Sequence, residues 1–383
     1  MCAFERNEKG MDFIMSKYKI GTVEAIMLVL TILTPYAVIS LPRTLINELK
    51  SGIVLNIVFV TILVIFITLF ICKIFKNFPG FDLLDIANYL GGNWFKNIIG
   101  TIFIIYFLVS SAILLRNFAE GLRVIYYPQT NIIFIELLFI IALFFVNSLG
   151  LNATIRTSTL ILPAVLVSIL LLFVGNFQNF TAGRFYPIFG NGFQDTFILG
   201  LTNIGTFGVI GYIYFLPPFL KEPEKFKKIS IISVVIAGLF LLLCIITLLF
   251  MFSFYISTDQ IMPLFSASRY IEFGDFFQRF ESIFLLIWIM AFCCYLSVAC
   301  KFSTILFRRI CKIKESPQLT YIFSLIIFAI SLIPGNYSDS NFYETHIYRY
   351  LRLIIVFGLG ISILVLANLK KKKVGDSNKA NNH

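Results

Sequence analysis

From residue 20 almost to its end, the chain alternates long apolar runs with short polar breaks. Ten runs can be marked, at about 20–49, 52–75, 97–126, 131–149, 156–176, 195–220, 229–254, 276–307, 318–335 and 346–369. Each is long enough for an α-helix to cross roughly 30 Å of hydrocarbon. Between them lie short polar or Pro/Gly-marked loops. The amphipathic stretch Phe81–Leu90 is too short to cross and is expected to lie along the inner interface. The pattern predicts an all-α membrane protein of about ten transmembrane helices. A short N-terminal segment (1–19) and a basic, polar tail (371–383) flank a single transmembrane domain (20–370).

Two runs carry breaks. Span 1 reads IMLVLTILTPYAVISLPRTLI, with Pro35 and Pro42 inside the apolar stretch. Span 6 reads ILGLTNIGTFGVIGYIYFLPPFL and packs Gly200, Gly205, Gly208 and Gly211 into one crossing. Proline removes a backbone donor, and clustered glycine permits non-helical backbone. Inside a bilayer such backbone survives only where it lines a protein cavity. Spans 1 and 6 are five apart, so the chain divides into repeats at about 20–176 and 195–369. An odd-numbered repeat inserts its second copy upside down, which predicts a 5+5 inverted repeat with broken helices 1 and 6. The plain alternative is that Pro and Gly are simply common in membrane helices.

Composition agrees: 58% of the 383 residues are hydrophobic and only 13% are charged, far from a soluble domain. The net charge of +11 would suit a nucleic-acid binder, but the basic residues are not gathered on a soluble face. They sit at alternate helix ends, and Lys370–Lys373 follow the last apolar run, as topology-setting loops require. With both termini cytoplasmic, 22 of the 31 Lys and Arg residues fall inside. Glu5, Arg6, Glu8, Lys9 and Asp12 make the first residues too charged for a signal-peptide core, so span 1 is expected to act as the insertion signal. The seven cysteines show no metal or disulfide spacing, and there are only two histidines, His346 and His383. No HExxH, phosphate loop or GxSxG is present, so neither enzyme chemistry nor a cofactor or metal is expected.

A broken helix offers free N–H groups to an anion and free carbonyls to a cation. A zwitterionic amino acid needs both. In span 1 the break is expected over Thr34, Pro35, Tyr36, Ala37 and Val38, holding the ligand's carboxylate; in span 6 over Asn203, Gly205, Thr206, Phe207 and Gly208, holding its ammonium. Spans 3 and 8 are expected to complete the pocket. Tyr106 and Ser110 lie mid-way along span 3; Trp288, Phe292, Tyr295 and Ala299 share one face of span 8, although aromatic stripes also serve plain helix packing. Charges inside spans are expensive. Arg116–Glu120 and Asp275–Arg279 are i,i+4 pairs, read as self-neutralising in preference to an ion path.

These residues resemble the B subunit of bacterial spore germinant receptors, the GerAB family, a branch of the amino acid/polyamine/organocation transporter superfamily with a LeuT/APC-like fold. The matching stretches are ISLPRTL (Ile39–Leu45), YFLVSSAILLRNFAE (Tyr106–Glu120), YFLPPF (Tyr214–Phe219) and, most specific, FFQRFESIFLLIWIMAF (Phe276–Phe292). The resemblance implies a sensor in the spore inner membrane that works beside A-type and C-type receptor subunits. It also implies a small germinant, commonly an amino acid, in the transporter-like pocket. Two departures stand out. Where transporters of the superfamily often carry Gly-x-Gly in the first break, Pro35-Tyr36-Ala37 stands here, and Val209-Ile210 replaces the acidic residue often found after the second. The second departure suits a binding-only sensor; the rival is an active amino-acid transporter of the same fold. Phe207, Phe292 and Tyr295 suggest a small apolar or aromatic ligand side chain.

Overall fold

The computed structural model describes residues 19–39, 41–252, 260–271, 280–313 and 317–380. Among these the architecture is helical, and the extended pairing is a single bridge between Ile20 and Leu220. Seven helices are long and apolar enough to cross a membrane. Two shorter apolar helices, Ile132–Ser148 and Pro317–Ser331, and the broken span 6 complete the ten crossings.

The two halves correspond position by position. Each opens with a crossing that the sequence marks as interrupted: Thr22–Ile39 and Leu41–Leu49 in span 1, and the pieces between Phe193 and Phe219 in span 6. A straight helix follows, Ile53–Phe75 (span 2) or Phe226–Met251 (span 7). The third crossing is a long one, Leu83–Tyr126 with its lead-in (span 3) or Phe280–Cys311 (span 8), and the fourth is the short one (spans 4 and 9). The fifth is Leu151–Gly175 (span 5) or the composite helix from Tyr337 to Ala380 (span 10).

Local chemistry sets the ends. Asp82 and Asp85 form a reciprocal capping box at the start of span 3, with the Asp85 N–H 3.0 Å from the Asp82 carboxylate. That lead-in turns at Gly91 and Gly92, the latter at φ +71, a region glycine enters without strain. The amphipathic stretch read from the sequence is thereby a short helix set at an angle to the crossing proper. Asn131 caps span 4 and Asn336 caps span 10.

Span 1 corrects one expectation. The α-helix Thr22–Ile39 runs through Thr34, Pro35, Tyr36, Ala37 and Val38, and the second piece starts at Leu41. None of the residues at which the break was expected therefore interrupts the helix. A proline inside a helix removes only its own N–H, and the preceding helix can continue when neighbours pack it on every side. Here spans 5, 7 and 8 do so, and every residue from Leu28 to Ile39 is buried.

Span 6 is broken throughout. A short helix, Phe193–Phe197, gives way to nine residues of 3₁₀ backbone, Leu199–Phe207, then one α-turn, Ile210–Ile213. Its i→i−3 bonds include Gly208 N–H to Gly205 O (3.2 Å) and Gly211 N–H to Gly208 O (3.0 Å). Runs this long are uncommon in 3₁₀ geometry, and side chains from other spans hold this one.

Candidate ligand site at the broken helices

Where the breaks meet spans 3, 8 and 10, tyrosine hydroxyls converge on one serine. The Tyr36 hydroxyl donates to the Ser110 carbonyl at 2.9 Å and also bonds the Ser110 hydroxyl. Ser110 Oγ lies 3.3 Å from the Tyr295 hydroxyl, and Tyr295 lies 3.5 Å from Tyr36. The Tyr36 and Tyr295 rings meet edge to face at 5.8 Å. One turn away, the Tyr106 hydroxyl donates to the Gly208 carbonyl at 3.2 Å, as a second donor beside the Gly211 N–H. Span 10 closes the circle: the Tyr348 hydroxyl donates to the Tyr106 carbonyl at 2.9 Å, and the two rings stack at 5.7 Å. Each of these tyrosines is buried.

The sequence-derived candidates do not all meet in one place. Tyr106, Ser110, Gly208 and Tyr295 meet directly in this cluster. Phe292 stacks on Tyr295 at 6.2 Å and forms its apolar wall with Phe118. Gly205 lies against the span 10 backbone, 3.2 Å from the Arg349 carbonyl to an ideal Cβ. Thr34, Pro35, Ala37, Val38, Phe207 and Ala299 are buried without a polar partner in the cluster, and the Thr34 hydroxyl is unpaired.

Asn203 and Thr206 do another job. Thr206 Oγ1 donates to the Asn203 carbonyl at 2.7 Å, bracing the 3₁₀ turn. Asn203 Nδ2 donates to Asn56 Oδ1 at 2.9 Å, and Asn56 Nδ2 donates to the carbonyls of Thr196 (2.7 Å) and Gly200 (3.1 Å). Arg349 reaches Asn203 Oδ1 at 3.3 Å while holding Glu48 with two bonds of 2.7 and 2.6 Å. The network ties span 6 to spans 1, 2 and 10.

The intramembrane charges are paired as the spacing suggested, with more partners. Arg116 lies 3.1 Å from Glu120 and 3.2 Å from Glu136 of span 4, and donates to the Gly335 carbonyl at 3.0 Å. Asp275–Arg279 lies outside the described residues. Sequence reasoning passed over Tyr348, Arg352 and Glu344, which recur every four residues and so share one face of span 10. That spacing was a legible signal. The apolar run itself begins only at about residue 346, which places Glu344 in a loop and Arg352 near an end.

The sequence model of a family described as spore germination protein matches residues 19–340. The chain belongs to the spore germination protein family. Relatives in that family include spore germination protein YndE of Bacillus subtilis strain 168, 23% identical over 92% of this chain and 98% of the relative. Spore germination protein B2 of the same organism is 21% identical, over 89% and 93% of the two chains. Spore germination protein XB of Bacillus anthracis is 21% identical over 71% and 76%. Among solved structures, a Na⁺-coupled sialic acid symporter in a substrate-bound outward-open state superposes with a TM-score of 0.62 at 13% identity, covering 93% of this chain and 79% of its own. That likeness is one of fold, and it bears out the LeuT/APC-like five-plus-five architecture. Family membership bears out the resemblance carried by the span 1, 3, 6 and 8 motifs.

Proposed function

We propose that this member of the spore germination protein family is the germinant-sensing subunit of a receptor, binding a small germinant, most simply an amino acid, at the tyrosine–serine cluster. The observation that carries the reading is the hydroxyl ring itself. It joins span 1 (Tyr36), span 3 (Tyr106, Ser110), span 8 (Tyr295) and the Gly208 carbonyl in span 6. Every member is buried, so a ligand enters only when the broken helices part from spans 3 and 8, and its arrival is coupled to their relative position. The candidate ligand-contacting set is Thr34, Ala37, Tyr106, Ser110, Phe207, Gly208, Phe292 and Tyr295. In this reading the protein sits in the spore inner membrane with both termini cytoplasmic, beside A-type and C-type subunits.

The test is a germination dose–response in spores carrying Tyr295→Trp or Gly208→Leu. Each is expected to shift the response by at least about tenfold while receptor assembly is retained. Unchanged curves for both would remove the reading. The symporter-like fold favours a second function, active amino-acid transport. Ion-gradient-driven uptake of labelled amino acid into proteoliposomes would establish it; saturable binding without uptake supports the sensor.

A further inference from the structure

Arg352 is buried at the heart of the cluster, and among the described residues its Nε has no partner. It sits on a single α-turn, Arg349–Arg352, between two π-helical stretches, Tyr343–Tyr348 and Leu353–Leu359. Such widened turns are rare and gather at functional sites. The guanidinium lies over the Tyr36 ring at 5.1 Å and the Tyr348 ring at 4.9 Å. Its carboxylate neighbour is Glu344, at 3.8 Å, beyond hydrogen-bond reach. Glu344 already accepts from Asn117 Nδ2 at 2.6 Å.

A guanidinium carries five N–H donors and stays charged at any accessible pH. Buried charges are ordinarily hydrogen-bonded. Arg349, one turn earlier, grips Glu48 with two bonds and reaches Asn203. Arg309 holds Asp82 and Asp85, and Arg116 holds two carboxylates and a carbonyl. Arg352 donates no hydrogen bond among the described residues, and its Nε is buried without a partner. Its stem also marks the meeting of the breaks: a Cβ on Gly208 would stand 2.9 Å from Arg352 Cδ.

We infer that Arg352 is the anion-binding residue of the ligand site, its planar fork receiving the carboxylate of a small amino-acid germinant. The rings of Tyr36 and Tyr348 hold the fork in place, and Glu344 supplies the distant counter-charge that keeps it tolerable while the site is closed. The N–H groups of Thr34 to Val38 cannot do the same work, because the helix continues through them. A planar guanidinium suits a carboxylate better than an ammonium would.

The inference rests on the germinant-binding reading, and one experiment separates the two. Purified full-length protein in nanodiscs is screened with the twenty amino acids by thermal shift; each hit is titrated beside its amide and its decarboxylated amine. Wild type is expected to bind the acid at least about tenfold more tightly than either analogue. Arg352→Gln is expected to weaken the acid by a similar factor and erase the difference between acid and amide, with Arg352→Lys falling between. Equal binding of acid and amide by wild type overturns the inference, and needs no variant to fold. So does an Arg352→Gln protein that keeps both affinity and acid preference. In either case the germinant site survives. No shift with any amino acid removes the site reading and the inference together.

Discussion

Tyr106 and Gly208 show how closely single atoms are matched in the cluster. Gly208 is small because an ideal Cβ there would lie 2.7 Å from the Tyr106 hydroxyl. The same hydroxyl donates to the Gly208 carbonyl. Tyr106→Phe should therefore remove one neutral hydrogen bond, about 1 kcal/mol, and lower the melting temperature slightly. Gly208→Ala should be worse alone, since it forces the tyrosine aside. Combined with Tyr106→Phe, which removes the colliding oxygen, it should recover part of that loss. Strictly additive melting shifts in the double variant would contradict this packing. The neighbouring Tyr36–Ser110–Tyr295 bonds follow the same principle, with hydroxyls that would be orphaned in an apolar interior satisfying one another.

Among the elements, span 6 departs furthest from the helix its composition allows. Leu199–Phe207 keeps 3₁₀ geometry over nine residues. Asn203, Asn56 and Arg349 supply the side-chain bonds that brace it. Asn203→Ala should leave Asn56 Oδ1 without its donor and Arg349 with one acceptor fewer. The expected destabilisation is about 1–3 kcal/mol, read as a lower melting temperature of the detergent-purified protein. Asn203→Asp should keep the contact to Arg349 but turn a donor into an acceptor against Asn56, and should rescue little. A melting temperature unchanged by Asn203→Ala would show that glycine composition alone sets the segment's backbone. Span 1 makes the complementary point. Pro35 stands inside a helix that continues to Ile39, because close packing by spans 5, 7 and 8 outweighs one lost hydrogen bond.

For the whole molecule, the two broken crossings are joined at their basic end. Ile20 N–H donates to the Phe219 carbonyl at 2.8 Å, and Lys221 N–H donates to the Ile20 carbonyl at 2.9 Å. Lys19 Nζ adds a bond of 3.3 Å to the Pro218 carbonyl. These bonds latch the start of span 1 to the end of span 6, so parting the broken helices at that end must open them. Ile20→Pro removes one N–H and should weaken the latch by about 1 kcal/mol. Hydrogen exchange should then speed up across Thr22–Leu30 and Tyr212–Leu220, with little change in span 4. Exchange that rises equally everywhere would mean general unfolding rather than a released latch. Lipid-facing surface covers the rest of the bundle: Phe66, Phe134, Leu138 and Phe145 are exposed, as apolar side chains facing hydrocarbon should be.

The hydrophobic pattern by itself determined the class, the crossings and their division into two halves. Long apolar runs have one satisfactory solution in a bilayer, and glycine or proline placement depends on local backbone physics alone. The span 3 and span 8 faces, with Tyr106, Ser110 and Tyr295, were legible for the same reason, since helical spacing maps sequence onto one side. Tertiary structure decided the rest. Whether Pro35 breaks a helix depends on what packs against it. Asn203, expected at the ligand, also bonds Asn56 and Arg349, partners that come from distant spans. The spacing of Glu344, Tyr348 and Arg352 marks one face of span 10, but only the fold shows that Arg352 meets Glu344 no closer than 3.8 Å and that its Nε has no partner among the described residues. Sequence spacing can say which face a residue takes, but not which partners await it there.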